Sequence, residues 1–198
     1  MADEMEYKCE AKDYLSRARA RLAEASPETL FYAALELRCG IEARLKEYFD
    51  AQAETTKKKR EGWRISKLAK QVESAFKTRE KVVRLVVFDP ESNSVISEAF
   101  YTPVTHKLQK LGEQLGDYLH APDKKRYENG QWLAVFREKL NETYRELEFA
   151  VSGTLMAPPL EHPREAGKSF FCLTGDQTKL FPPGKRIGMR LDIYEFDD

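Results

Sequence analysis

Residues 26–53 read SPETLFYAALELRCGIEARLKEYFDAQA, and this stretch decides the fold. Ser26 suits a helix N-cap, Pro27 the first helical position, and Glu28 the positive end of the helix dipole. From there Leu30, Ala34, Leu37, Ile41, Leu45 and Tyr48 recur at helical spacing. A second apolar strip of Phe31, Leu35 and Phe49 lies roughly 100° around the same helix. Two strips mean a helix covered on more than one side. The spacing therefore predicts that this segment is the centre of a helical bundle.

The flanking sequence supplies its neighbours. Residues 4–24 read as a first helix, through Tyr7, Ala11, Tyr14, Leu15, Ala18 and Leu22. A polar break at 54–64 precedes a short helix at 65–80, carried by Ile65, Leu68, Ala69, Val72 and Phe76. Residues 82–88 are short and β-branched, residues 89–93 (DPESN) are turn chemistry, and 95–101 can return as a second strand. This is a β-hairpin inserted at about 82–101. A fourth helix is expected over 105–120, stopped by Pro122, and a fifth over 131–152. The fifth buries Trp132, Phe136, Leu140, Tyr144, Leu147 and Val151, with Gly153 as its C-terminal cap. Pro158, Pro159 and Pro163 mark 154–166 as a linker. Two strand-like runs at 169–174 and 186–196 make residues 167–198 a short β-type extension. The fold class expected is mainly α: a helical bundle over 1–153 with an inserted β-hairpin and a small C-terminal β appendage.

Composition narrows the function classes. The 198 residues carry 33 Lys plus Arg against 33 Asp plus Glu, so the formal net charge is zero. That balance excludes a surface that is positive all round for nucleic acid, though not a local basic patch. There is no apolar run of about 18 residues, so no membrane span is expected. The opening MADEMEYKCEAKDY lacks an apolar core, so no secretory signal is expected either. Cys9, Cys39 and Cys172 are odd in number and without CxxC spacing, which argues against a disulfide framework or a zinc knuckle. They read as small buried hydrophobes in a reducing cytoplasm. Phosphate-loop, dinucleotide, HExxH and GxSxG motifs are missing, and no cofactor or metal is expected.

Three patterns could carry chemistry. Arg38 and Glu42, at i and i+4 between the two apolar strips, suit a partly buried structural ion pair or a pair orienting a polar group across the bundle. In the fourth helix, Leu108, Leu111, Leu115 and Leu119 form the inward stripe, while His106, Glu113, Asp117 and His120 cluster within roughly 60° on the outer side. His106 and His120 stand about 21 Å apart along the axis and cannot share one metal. Asp117 and His120, at i and i+3, can touch a common group, with His120 as a general acid or base oriented by Asp117. The plainer reading of this face is solvated surface. The third pattern is basic: Lys57, Lys58, Lys59 and Arg60 with Trp63, and Lys124, Lys125 and Arg126. Such segments are solvated loops, or gather phosphates with Trp63 stacking on a base. His162 stands in the Pro-rich segment and is expected to be exposed.

The pair LELRCGIEARL and LGDYLHA resembles the HEPN superfamily, particularly its small prokaryotic branches. Those families set an arginine and a glutamate in a long early helix and a histidine late in a later one. The resemblance spans residues 10–152 and implies a helical bundle, often dimeric. Many members are metal-independent ribonucleases of toxin–antitoxin, abortive-infection or CRISPR-linked defence. The active signature is R-x4-6-H on one helix. Here the positions four to seven before His120 are Gly116, Leu115, Gln114 and Glu113, so only the histidine carries over. The resemblance then implies a non-catalytic dimerisation or partner-binding module in prokaryotic defence or stress response. The alternative is a divergent metal-independent ribonuclease, with His120 as acid/base, a cation from Arg38 or the 124–126 segment holding the phosphate, and Asp117 and Glu42 as further catalytic candidates. A homodimer is expected, with the outer face of the fourth helix lining the cleft between protomers, and with a protein or RNA as partner.

Overall fold

The computed structural model describes residues 8–24, 26–50, 64–76, 80–120, 130–157, 160–161, 169–170, 184 and 186–195. Five helices occur among them: α1 (Ala11–Glu24), α2 (Pro27–Asp50), α3 (Ile65–Phe76), α4 (His106–Leu119) and α5 (Gly130–Ser152). The strands are β1 (Val82–Phe88), β2 (Val95–Tyr101), β3 (Leu160–Glu161), β4 (Ser169–Phe170) and β5 (Gly188–Tyr194). The molecule is mainly helical, as the apolar periods require.

α2 is the hub and packs against α1, α3, α4 and α5. Leu30, Ala34, Leu37, Ile41, Leu45 and Tyr48 are all buried. The second strip is used only in part. Phe49 is buried, and Phe31 packs its ring 5.4 Å from that of Phe136 on α5, but Leu35 is 48% exposed. Ser26 caps α2 as expected, its Oγ accepting from Thr29 N at 3.3 Å.

α1 starts at Ala11 rather than near residue 4. The Glu10 carbonyl accepts from Asp13 N and Tyr14 N, while the Asp13 carboxylate accepts from Glu10 N at 3.1 Å. Glu47 of α2 takes the Ala11 amide at 2.6 Å. Two carboxylates therefore satisfy amides that the first helical turn leaves free, and they fix the start of the helix.

β1 and β2 form the antiparallel hairpin, with Leu85 opposite Ala99 and Val83 opposite Tyr101. Its turn is held by the Asp89 carboxylate, which accepts from Glu91 N and Ser92 N, and by Asn93 at φ 55°. Leu85, Ala99 and Tyr101 put one face of the sheet into the bundle core. The C-terminal β segment does not stand apart: β5 pairs antiparallel with the other side of β1, giving the order β2-β1-β5. β3 and β4 make a separate two-residue ladder. Residues 154–157, given to the linker by its prolines, dock on β2 instead. Leu155 and Ala157 are buried, and Leu155 N donates to Phe100 O at 2.9 Å.

The hairpin is locked to the bundle at the end of α5. The Ala150 carbonyl accepts from Arg44 Nε at 2.9 Å and from Thr102 Oγ1 at 3.0 Å. Gly153 N donates to the same Thr102 Oγ1 at 3.0 Å, and Tyr48 Oη donates to Thr102 O at 2.6 Å. The glycine is needed for close approach and not for a left-handed cap, since Gly184 is the positive-φ glycine among the described residues. A Cβ on Gly153 would lie 2.5 Å from Thr102 Oγ1 and 2.9 Å from Phe100 O. Backbone cannot step aside as a flexible side chain can. Gly153→Ala is therefore expected to cost about 1–3 kcal/mol in urea unfolding. A neutral result would mean that β2 and the end of α5 sit farther apart.

Candidate functional site

α4 presents its polar face outward, as its leucine spacing requires. Thr105 caps the helix by accepting from Leu108 N at 3.1 Å. Leu108, Leu111 and Leu115 are buried, while His106, Glu113, Asp117 and His120 are exposed. The two histidines serve different ends of the helix. His106 Nε2 lies 2.6 Å from Glu73 of α3, and Nδ1 lies 3.3 Å from Glu80. The His106 amide also donates to Glu80. His106 is thus a clamp that ties the start of α4 to α3 and to the segment before β1.

His120 is the C-cap of α4, where the backbone turns extended at φ −75° and ψ 149°. It lines an open groove of about 700 Å³ with Gln114, Asp117 and Tyr118 of α4 and Trp132 and Lys139 of α5. Asp117 and His120 therefore share one groove, as their i, i+3 spacing implies. Aromatic rings make the groove's apolar side. Tyr118 stacks on Phe136 at 4.4 Å and 9°, and Trp132 lies 5.7 Å from Tyr118. Lys139 Nζ donates to Gln114 Oε1 at 2.8 Å, which sets a cation beside the rings. Trp132 and Lys139 have a legible signal, since their i, i+7 spacing puts both on one side of α5. Helical spacing alone marks Trp132 as core, and it gives Gln114, Tyr118 and Lys139 no role in this groove.

Arg38 is placed elsewhere. Its Nε lies 3.4 Å from Glu42 Oε1, and its Nη1 donates to the Gly112 carbonyl at 3.3 Å. The guanidinium lies against Gly116, where a Cβ would come within 2.6 Å of Nη1. Arg38 thus fills the α2–α4 crossing one helical turn before His120, and it is not among the residues lining the groove. Asp117 and His120 line one groove, while Arg38 pairs with Glu42 away from it.

Burial pushes the Glu42 carboxyl above its ordinary range, and Arg38 and Lys46 pull it back only in part. A carboxyl raised by folding contributes most to stability at low pH, and that contribution is lost as pH rises through the folded value. The wild type is therefore expected to lose stability relative to Glu42→Gln as pH rises from about 4 to 7. Parallel urea-melt curves for the two proteins across that window would contradict this.

Glu42 also lines a second groove of about 440 Å³ between α1 and α2, with Cys9, Cys39 and Glu47 among its walls. The cysteines depart from the expectation of small buried hydrophobes: Cys9 is exposed and Cys39 half-buried. The polar start of α1 leaves Cys9 outside the core. Burial pushes the Cys39 thiol up, which disfavours the thiolate. Lys57, Lys58, Lys59, Arg60, Trp63, Lys124, Lys125, Arg126, His162 and Cys172 lie outside the described residues. Among the described residues, no three His, Cys, Asp or Glu side chains are grouped to hold a metal ion, and no helix is long and apolar enough to cross a membrane. No known protein family, characterised protein or solved structure matches the chain.

Proposed function

We propose that the chain is a HEPN-like binding module of prokaryotic defence or stress response, homodimeric and non-catalytic, whose α4–α5 groove holds single-stranded RNA without cutting it. The observation that carries this reading is the position of Arg38. A ribonuclease of this kind sets an arginine beside its histidine, to hold the phosphate while the proton moves. The arginine best suited to that role is committed to Glu42 and to the α4 backbone. What the groove offers instead is recognition chemistry: Trp132 to stack a base, Lys139 to meet a phosphate, and Gln114 and His120 as hydrogen-bonding groups. Lys124, Lys125 and Arg126 follow His120 closely in the sequence.

The test is fluorescence anisotropy of a labelled single-stranded oligoribonucleotide. Trp132→Ala and Lys139→Ala are each expected to weaken binding about tenfold, with far-UV circular dichroism unchanged. Binding that both substitutions leave intact would move the site off this groove. A second reading, a divergent metal-independent ribonuclease, is favoured by Asp117 and His120 sharing the groove with Lys139. It requires His120 as acid/base and a phosphate-holding cation other than Arg38.

A further inference from the structure

β5 reads Gly188-Met189-Arg190-Leu191-Asp192-Ile193-Tyr194, and its register on β1 assigns each side chain to a face. Leu191 stands opposite Leu85, Met189 opposite Val87, and Ile193 opposite Val83. Those β1 residues are buried against the helices. Met189, Leu191 and Ile193 therefore point to the same side, yet they are 55%, 41% and 60% exposed. β5 overhangs the bundle, and it meets the rest of the described molecule chiefly through β1. Its outer edge carries no paired strand among the described residues. An edge strand with an apolar face is a template for another strand unless something blocks it.

The charges on the other face decide which strand fits. Arg190 and Asp192 flank Leu191 on the opposite face, where Arg190 Nε lies 3.0 Å from Asp192 Oδ1. With a second β5 laid antiparallel about a two-fold axis at Leu191, each Arg190 faces the other copy's Asp192. Met189 then faces Ile193, and Leu191 faces itself. The strand is complementary to its own reverse in both charge and apolar pattern. An in-register parallel neighbour would set Arg190 against Arg190, and an antiparallel neighbour shifted by two residues would set it against Arg190 or Tyr194.

We propose that a second copy of this chain docks on β5, joining two three-stranded sheets into one antiparallel six-stranded sheet with its two-fold axis at Leu191. The contact is isologous, as a closed dimer requires. Two overhanging β5 strands bring six apolar side chains into one stripe and hold the two bundles apart. This names the surface of the homodimer in the reading above and rests on that part of it. It leaves the α4–α5 groove open, where the sequence had placed the dimer cleft.

Sedimentation velocity of the full chain at tens of micromolar tests the pairing. The wild type is expected to sediment at twice the chain mass. Arg190→Asp sets carboxylates against carboxylates and Asp192→Arg sets guanidinium groups against each other, so each alone is expected to weaken dimerisation at least about tenfold. Mixing the two variants restores opposite charges across the axis, and a heterodimer is expected. Should Asp192→Arg disturb the sheet through Arg84, Leu191→Lys places two ammonium groups on the axis and serves in its stead. A monomeric wild type overturns the proposal. So does Arg190→Asp that dimerises like wild type, or a mixture of well-folded variants that stays monomeric. A monomer that still binds RNA would sink this pairing alone, and a β5 dimer without RNA binding would sink the groove alone.

Discussion

Arg44→Ala is expected to destabilise the protein by about 3–5 kcal/mol. Arg44 is 2% exposed, and its guanidinium is the polar junction of three elements. Nε donates to Ala150 O at the end of α5, Nη1 lies 3.0 Å from Glu47 of α2, and the cation sits 4.7 Å over the Tyr48 ring. Glu47 in turn holds the first amide of α1. Removing the guanidinium leaves the half-buried Glu47 carboxylate without its cation and takes one of the two donors from the buried Ala150 carbonyl. Arg44→Met keeps most of the stem's packing, so it is expected to cost less than alanine. Urea unfolding at an unchanged m-value measures both. A loss below about 1 kcal/mol for alanine would mean that Glu47 and α5 find other partners, and that this junction does not hold the hairpin to the bundle.

Ile41→Ala is expected to cost about 2–4 kcal/mol. Ile41 is fully buried on the hub helix, and its Cδ1 occupies the space a Cβ on Gly112 would need, with Ile65 from α3 on the other side. The close approach of α2, α3 and α4 at this point leaves little freedom to collapse around a deletion, so the cavity persists. A loss below about 0.5 kcal/mol would put Ile41 at the surface and overturn α2 as the centre of the bundle.

The hub was legible because its evidence is local. Six apolar residues at helical spacing define the inward stripe of α2, and all six are buried. The hairpin was legible for the same reason: β-branched runs on either side of Asp89-Pro90 need no distant partner to be recognised. Leu35 was misread because apolarity is not position, and an amphipathic helix tolerates an exposed leucine. The α1 start was missed because Glu47, which takes the Ala11 amide, lies 36 residues away. β5 was legible as a strand but not as a neighbour of β1, since pairing across more than 100 residues leaves no local trace. In the site, Asp117 and His120 were found because they share one helix. Lys139 and Gln114 were missed because their 2.8 Å contact joins two helices. Arg44 looked like one more charge on a charged helix, and only the fold shows that it is buried.

We propose that this histidine-bearing groove recognises RNA and does not cut it, with Arg38 held in the α2–α4 crossing. The most direct measurement is single-turnover cleavage of end-labelled single-stranded RNA, with protein in excess and chelator present, for wild type beside His120→Ala. Wild type and variant are both expected to leave the RNA intact at protein concentrations that saturate binding. Cleavage by the wild type that disappears in His120→Ala would contradict it.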